Sequence, residues 1–290
     1  LTESKFKPKG PLKKFLKVDK TRVVSSVERH FIAKPKQDDR PQDVIHPSDM
    51  VSDSWCHREQ YFKLINKVPN KPKDRGVSLK KRLIFEEGHS IHRKWQSIFY
   101  DCQTLYGKWL CTACKTTVVG LSPQSCVNCE LNHKFIYKEV PLNYTPYKIS
   151  GHADGILIGY ESPLLLEIKS VGQGTFTWED PEYAKLNNYD LFEMWKNLEK
   201  PFMKHINQAQ MYMKLCELIG MEVQPQEACL IYELKANQEY KEFIVPKSDF
   251  SIKHLIDAAK MISDAVDNKT PPTCNMGGSQ WCTGCEGYDD

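Results

Sequence analysis

The chain has 290 residues, of which 40% are apolar and 11% aromatic, and a formal net charge of +3. That supports one large core, or one core plus a small module, and the charge alone does not call for a polyanionic partner. No apolar run approaches the roughly 18–20 residues that span a bilayer, and the opening LTESKFKPKG lacks the apolar segment of a secretory signal, so a soluble intracellular protein is expected.

Residues 1–40 hold twelve Lys or Arg against five acids, a basic arm broken by Pro8, Pro11 and Pro35. Such an arm suits phosphates or a solvated leader equally well. HPSDMVSDSWCHREQYFKLIN then begins a helical pattern, with Ser52, Asp53 or Ser54 as cap, Trp55, Tyr61, Phe62 and Ile65 at helical spacing, and Cys56 and Arg58 in its first turns. Residues 67–78 read as a loop. A second helix runs from about Leu79 to Tyr100, with Leu83, Ile84, Ile91, Trp95, Ile98 and Phe99 as its apolar stripe. Gly88 and His92 share one face of it, and a mid-helix glycine suits close approach by another group.

Cys111-x2-Cys114 and Cys126-x2-Cys129 follow, separated by eleven residues. Two such knuckles give four thiolates in a closed tetrahedron, the spacing of a structural zinc ribbon with no open catalytic position. Residues 134–144 read as a strand carrying Glu139. Next comes GHADGILIGYESPLLLEIKS, a hairpin of strands Gly155–Gly159 and Leu164–Ile168 about the turn at Glu161, Ser162 and Pro163. Antiparallel pairing brings Asp154 opposite the segment of Glu167 and Lys169, which point one way while Leu166 and Ile168 point into a core. Two carboxylates and an ammonium on apolar strands are costly to bury, and a divalent cation with oxygen ligands relieves that cost.

The stretch from Gly172 reads as a polar, aromatic loop leading to a helix start near Tyr189. A helix over Lys200–Leu218 puts Phe202, Ile206, Ala209, Met213 and Leu218 inward and Gln208 and Tyr212 on one face. Glu227–Lys235 and Glu239–Val245 alternate as strands, and Ile252–Val266 is a final amphipathic helix. The tail holds Cys274, Cys282 and Cys285, for which Cys56 is the obvious fourth partner. Soft thiolates suit zinc or an iron–sulfur cluster alike. Cys102, Cys216 and Cys229 read as buried thiols.

With these residues assembled, the chain resembles the PD-(D/E)xK nuclease superfamily, in its RecB-like branch of CRISPR-associated and phage exonucleases. Gly88-x3-His92, Gly151-x2-Asp154, Glu167-x-Lys169 and Gln208-x3-Tyr212 stand in family order over about residues 46–290. The resemblance implies an α/β (α+β) fold, a mixed central sheet flanked by helices with a restriction-endonuclease-like core. Residues 1–45 would be the basic arm, 46–105 and 134–290 the nuclease core, and 106–133 an inserted zinc ribbon that engages DNA or sets the protein's shape. It further implies Mg2+ or Mn2+ held by His92, Asp154, Glu167 and the carbonyl of Ile168, with Lys169 orienting water, Gln208 and Tyr212 positioning the site, and Glu139 at its rim. Cys56, Cys274, Cys282 and Cys285 look like the branch's iron–sulfur clasp, a 4Fe-4S cluster, although Cys-x7-Cys-x2-Cys departs from the family pattern. The implied activity is hydrolysis of DNA, on single strands or duplex ends, in recombination, replication or repair, inside a bacterium or a phage-infected cell and beside replication or recombination proteins. The alternatives are a catalytically silent zinc-ribbon nucleic-acid-binding factor on the same scaffold, or an endonuclease of restriction type.

Overall fold

The computed structural model describes residues 23–33, 40–65, 78–129 and 135–276. Most of the basic arm, all but Ser78 of the loop expected over 67–78, and Cys282 and Cys285 therefore lie outside the described residues. Two units are distinguished, residues 1–40 with 73–87 and residues 41–72 with 88–290. In the first, the described residues form helix α1 (Val24–Ala33) and the opening of a long helix.

The second unit begins with two short helices, α2 (Pro47–Met50) and α3 (His57–Leu64). The cap of α3 differs from expectation. Cys56 itself is the N-cap, its sulfur accepting from the Glu59 N–H at 3.5 Å, while Ser52 and Ser54 make a turn of their own. The long helix α4 (Leu79–Asp101) ends as Gln103 takes φ 58° and the Thr104 and Gln103 N–H groups donate to the carbonyls of Phe99 and Tyr100. That left-handed stop turns the chain straight into the sheet. Its apolar stripe is narrower than expected: Ile91 and Phe99 are buried, whereas Leu83, Ile84 and Ile98 are exposed.

The strands are β1 (Leu105–Cys111), β2 (Thr117–Gly120), β3 (Phe135–Tyr137), β4 (Val140–Tyr144), β5 (Ile149–Ala153), β6 (Gly155–Leu157), β7 (Leu164–Val171), β8 (Glu227–Leu234) and β9 (Tyr240–Pro246). Among the described residues, seven form one mixed sheet in the order β2-β1-β6-β7-β8-β9, with β3 also on β1, while β4 and β5 pair separately. The single strand expected over 134–144 is thus two. Lys138 donates to the Lys108 carbonyl, and the Lys108 N–H donates to the Glu139 carbonyl, so two residues oppose one. This is a β-bulge, with Glu139 at φ 57°, and it re-aims the chain from the large sheet to the small hairpin.

Strands β7 and β8 are parallel, which demands a crossover; the stretch expected to be loop supplies helices α5 (Gln173–Glu179) and α6 (Pro181–Leu186), and α7 (Leu191–Asn197), near the helix start expected at Tyr189, and α8 (Met203–Leu218) follow. Asp180 and Asp190 cap α6 and α7 through the N–H groups of Tyr183, Phe192 and Glu193. Helix α8 has no single inward stripe: Gln208 to Met213 are all buried, because β4, β5, α2, β7, β8 and helix α9 (Asp249–Asp267) enclose it. Helices cover both faces of the sheet. Ile91 and Phe99 of α4 pack on Leu166, Ile168 and Ile231, while α3, α8 and α9 pack on the opposite face around Leu165, Leu230 and Tyr232. No helix among the described residues is long and apolar enough to cross a membrane.

Candidate active site

The hairpin β6–β7 sets the site. Gly155 pairs with Leu166, so Asp154, just before β6, comes opposite Glu167. Leu166 and Ile168 enter the core under α4, which leaves Glu167 and Lys169 on the other face, toward α8. The Asp154 carboxylate is held on both sides, Oδ2 accepting from the Ile168 N–H at 2.6 Å and Oδ1 meeting Nδ1 of His92 at 2.8 Å. Gly88, one turn before His92, faces Ser170 Oγ at 3.3 Å from where a Cβ would stand, so this glycine lets α4 lie close on β7.

From Glu167 a second run of contacts leads to α8. Lys169 Nζ lies 2.7 Å from Glu167 Oε1 and donates to Gln208 Oε1 at 2.8 Å, and Gln208 Nε2 donates to Tyr212 Oη at 2.9 Å. Ring and amide thus share one helix face, as their four-residue spacing requires. His92, Asp154, Glu167, Lys169, Gln208 and Tyr212 therefore meet at one place. Glu139, on its bulge, accepts a hydrogen bond from Gln96 in the field of Asp154.

Burial and crowding control the charges. Burial pushes Glu167 from the ordinary 4.5 up to about 7, against the pull of Lys169 and with the further push of Asp154. Burial also raises Glu139, with Asp154 adding to it. For His92 burial works downward, but the hydrogen bond and charge of Asp154 and the charge of Glu167 outweigh it and raise the imidazole. Burial holds the Tyr212 phenol in its protonated form. Each buried carboxylate has its own partner, Lys169 for Glu167 and His92 for Asp154, and the two are 3% and 6% exposed.

The donor set of imidazole nitrogen and carboxylate oxygen suits a hard divalent cation. His92 and Asp154 are close as a pair, and so are Asp154 and Glu167 as strand neighbours, but the Glu167 carboxylate is turned onto Lys169. Among the described residues, the four cysteines are the set whose ligand atoms all lie within 4.8 Å of one another: Cys111, Cys114, Cys126 and Cys129. Cys111 and Cys129 sulfurs are 3.9 Å apart and those of Cys114 and Cys126 3.4 Å. Hydrogen bonds from the Thr116 hydroxyl and backbone draw Cys114 down to about 5, the thiolate form that binds metal. This cluster stands at the end of β1, whose other end pairs antiparallel with β6 through Leu105 and Tyr106. Cys56 and Cys274 share a small buried cluster with Met276, and Asn275 ties that segment to Trp55 O and His57 N. Cys216 and Cys229 are buried and pushed up to about 12 by burial, whereas Cys102, against expectation, is exposed at a helix end.

Three participants escaped the sequence reading, and a fourth, His205, was read on its helix without its partner. Gln96 and Tyr137 both donate to the Asp154 carbonyl, at 3.1 and 3.0 Å. Glu233 on β8 is buried and receives Lys94 Nζ at 2.6 Å and Trp95 Nε1 at 2.7 Å, anchoring α4 beside His92. His205 meets Tyr232 Oη, which also accepts from the Phe202 N–H and so caps α8. Gln96 lies one turn after His92, which was a usable signal; Tyr137 and Glu233 are distant in the chain and offered none.

The fold and site define a mixed α/β protein with a carboxylate–lysine cluster at its sheet and a four-cysteine cluster beside it. No family model and no curated protein matches the sequence. Among solved structures the chain is similar to the alkaline exonuclease LHK-Exo of Laribacter hongkongensis, at 12% identity over 79% of this chain and 90% of that one, with TM-scores of 0.43 for its complex with dAMP and 0.41 for a second structure. It is also similar to SSO0001, at 14% identity over 87% of each chain and a TM-score of 0.37.

Proposed function

We propose that the chain is a metal-dependent deoxyribonuclease that hydrolyses phosphodiester bonds, working from ends or on single strands in recombination, replication or repair. The observation that carries this reading is the meeting of Asp154, Glu167 and Lys169 with His92 from α4 and Gln208 and Tyr212 from α8. Two buried carboxylates, Asp154 beside His92 and Glu167 beside Lys169, make a pocket whose charge a divalent cation would complete.

In this reading His92, Asp154, Glu167 and the Ile168 carbonyl hold Mg2+ or Mn2+. Held there, such an ion would supply Lewis-acid chemistry and offset charge on the scissile phosphate. Lys169, fixed between Glu167 and Gln208, points its remaining N–H at the attacking water and orients it. Tyr212 accepts from Gln208 and, kept protonated, offers its own O–H to a phosphate oxygen. Glu139 holds Gln96 at the rim. The four cysteines hold zinc in a closed set, and Cys56 with Cys274 forms the described half of a metal clasp whose other members are Cys282 and Cys285; visible absorption with metal analysis separates iron–sulfur from zinc there.

The test is degradation of linear, single-stranded and nicked DNA with Mg2+ or Mn2+. Lys169→Ala is expected to lose activity by at least about a hundredfold while remaining folded. Wild-type protein inert on all three substrates would overturn the reading.

A further inference from the structure

Asp154 stands where the chain leaves β5 and enters β6, at a break between two ladders. A residue there has no strand partner for its carbonyl, and a free carbonyl would let the whole peptide unit tilt. Two side chains close the gap, Tyr137 Oη at 3.0 Å and Gln96 Nε2 at 3.1 Å. The carboxylate of Asp154 is thus aimed by a backbone that these two donors fix.

Tyr137 is itself fixed from the four-cysteine side. Its strand β3 pairs with β1 in the register Trp109 to Tyr137, Leu110 to Ile136 and Cys111 to Phe135, so the ring sits two rungs from a cysteine of the cluster. The ring lies 4.9 Å from that of Trp109 and runs over two glycines. A Cβ at Gly107 would overlap the ring and its hydroxyl, and one at Gly155 would stand 3.1 Å from that hydroxyl and 2.7 Å from Leu105 Cδ1. The two glycines leave the room the phenol occupies, where its hydroxyl lies 3.0 Å from the Asp154 carbonyl and 3.4 Å from that of Tyr106. A strand of three residues is marginal by itself, and a cation joining the thiolates of Cys111 and Cys129 would pin its register.

We infer that Tyr137 is a positioning residue for Asp154, and that through it the four-cysteine cluster sets the geometry of the metal-binding carboxylates rather than serving only as a separate module. The inference rests on the nuclease reading, since it concerns that reading's cation site. Groups that orient a metal ligand without touching the ion change its affinity by roughly 10–100-fold.

The experiment is a Mn2+ titration of the full chain followed by electron paramagnetic resonance, with zinc content and melting temperature measured on the same samples. Tyr137→Phe keeps the ring in its slot and removes the hydroxyl; it is expected to weaken Mn2+ binding about tenfold with zinc content unchanged. Gly107→Ala, which displaces the hydroxyl without removing it, should move affinity the same way. Folded Tyr137→Phe protein with wild-type Mn2+ affinity overturns the inference. If that variant does not fold, release of the cysteine-bound cation from the wild-type chain by a thiol-modifying reagent carries the test, and unchanged Mn2+ affinity after release overturns it equally. A wild-type chain that binds no Mn2+ overturns the nuclease reading and the inference together, whereas binding by wild type and variant alike overturns the inference alone.

Discussion

Glu167 is the residue at which stability and the proposed chemistry oppose each other. Its carboxyl is buried on a central strand and its pKa is pushed from 4.5 up to about 7, so between those values the native state keeps a proton that the unfolded chain has released. Native protein then binds more protons, and stability falls as pH rises through that window. His92 acts with the same sign, because its raised native pKa stabilises below 6.5 and that contribution is lost as pH rises through the native value. Metal-free wild-type protein is therefore expected to lose on the order of 1–3 kcal/mol relative to Glu167→Gln between about pH 5 and about pH 8. Urea denaturation of the two proteins across that range checks it, and a constant difference would contradict the burial argument. Saturating Mn2+ should reverse the trend for wild type only.

At the scale of elements, α4 carries His92 and Gln96 and must lie on the sheet at a fixed height. Gly88 allows the approach to Ser170, and Glu233 holds the helix by its ion pair with Lys94 and its bond from the Trp95 indole. Removing one partner of a buried charged network leaves the others unsatisfied, so Glu233→Ala is expected to cost about 2–4 kcal/mol. Glu233→Gln, which keeps an acceptor for the Trp95 N–H, should cost less. Chemical denaturation gives both values, and equal, negligible costs would show that α4 is held by its apolar contacts alone. The bulge at Lys138 and Glu139 is the other element-level device. It divides one apolar run between two sheets and aims a third carboxylate at Asp154.

For the whole molecule, a cation that binds only the folded chain raises its stability by mass action, about 2.7 kcal/mol at a hundred times the dissociation constant. In a chain of this size that corresponds to roughly 5–10 °C in melting temperature. Wild-type protein is expected to show this rise with Mn2+ and Asp154→Ala to show little of it. A calorimetric scan with and without the ion decides, and the same rise in both would place the cation elsewhere. Zinc stoichiometry measured alongside keeps the thiolate site and the carboxylate site separate, because soft sulfur and hard oxygen ligands select different ions.

Much of this arrangement was legible in the residues themselves. The hairpin about Pro163, the alternation that parts Glu167 and Lys169 from Leu166 and Ile168, the four-residue step from Gln208 to Tyr212 and the two cysteine knuckles all follow from local period and turn chemistry, which are properties of neighbouring residues. The caps Asp180 and Asp190 were equally local; the helix start expected near Tyr189 falls at α7, whereas the aromatic, polar texture before it concealed the two short helices α5 and α6. Helical spacing puts Gln96 on the face of His92, but only the tertiary structure brought Tyr137 and Glu233 to the site and gave Gln96 its partner. The partners of Tyr137, Gln96 and Glu233 are 17, 58 and 138 or 139 positions away in the chain. Which side chain fills the gap at a broken ladder depends on how strands register across the sheet, and that is decided by packing, not by sequence period.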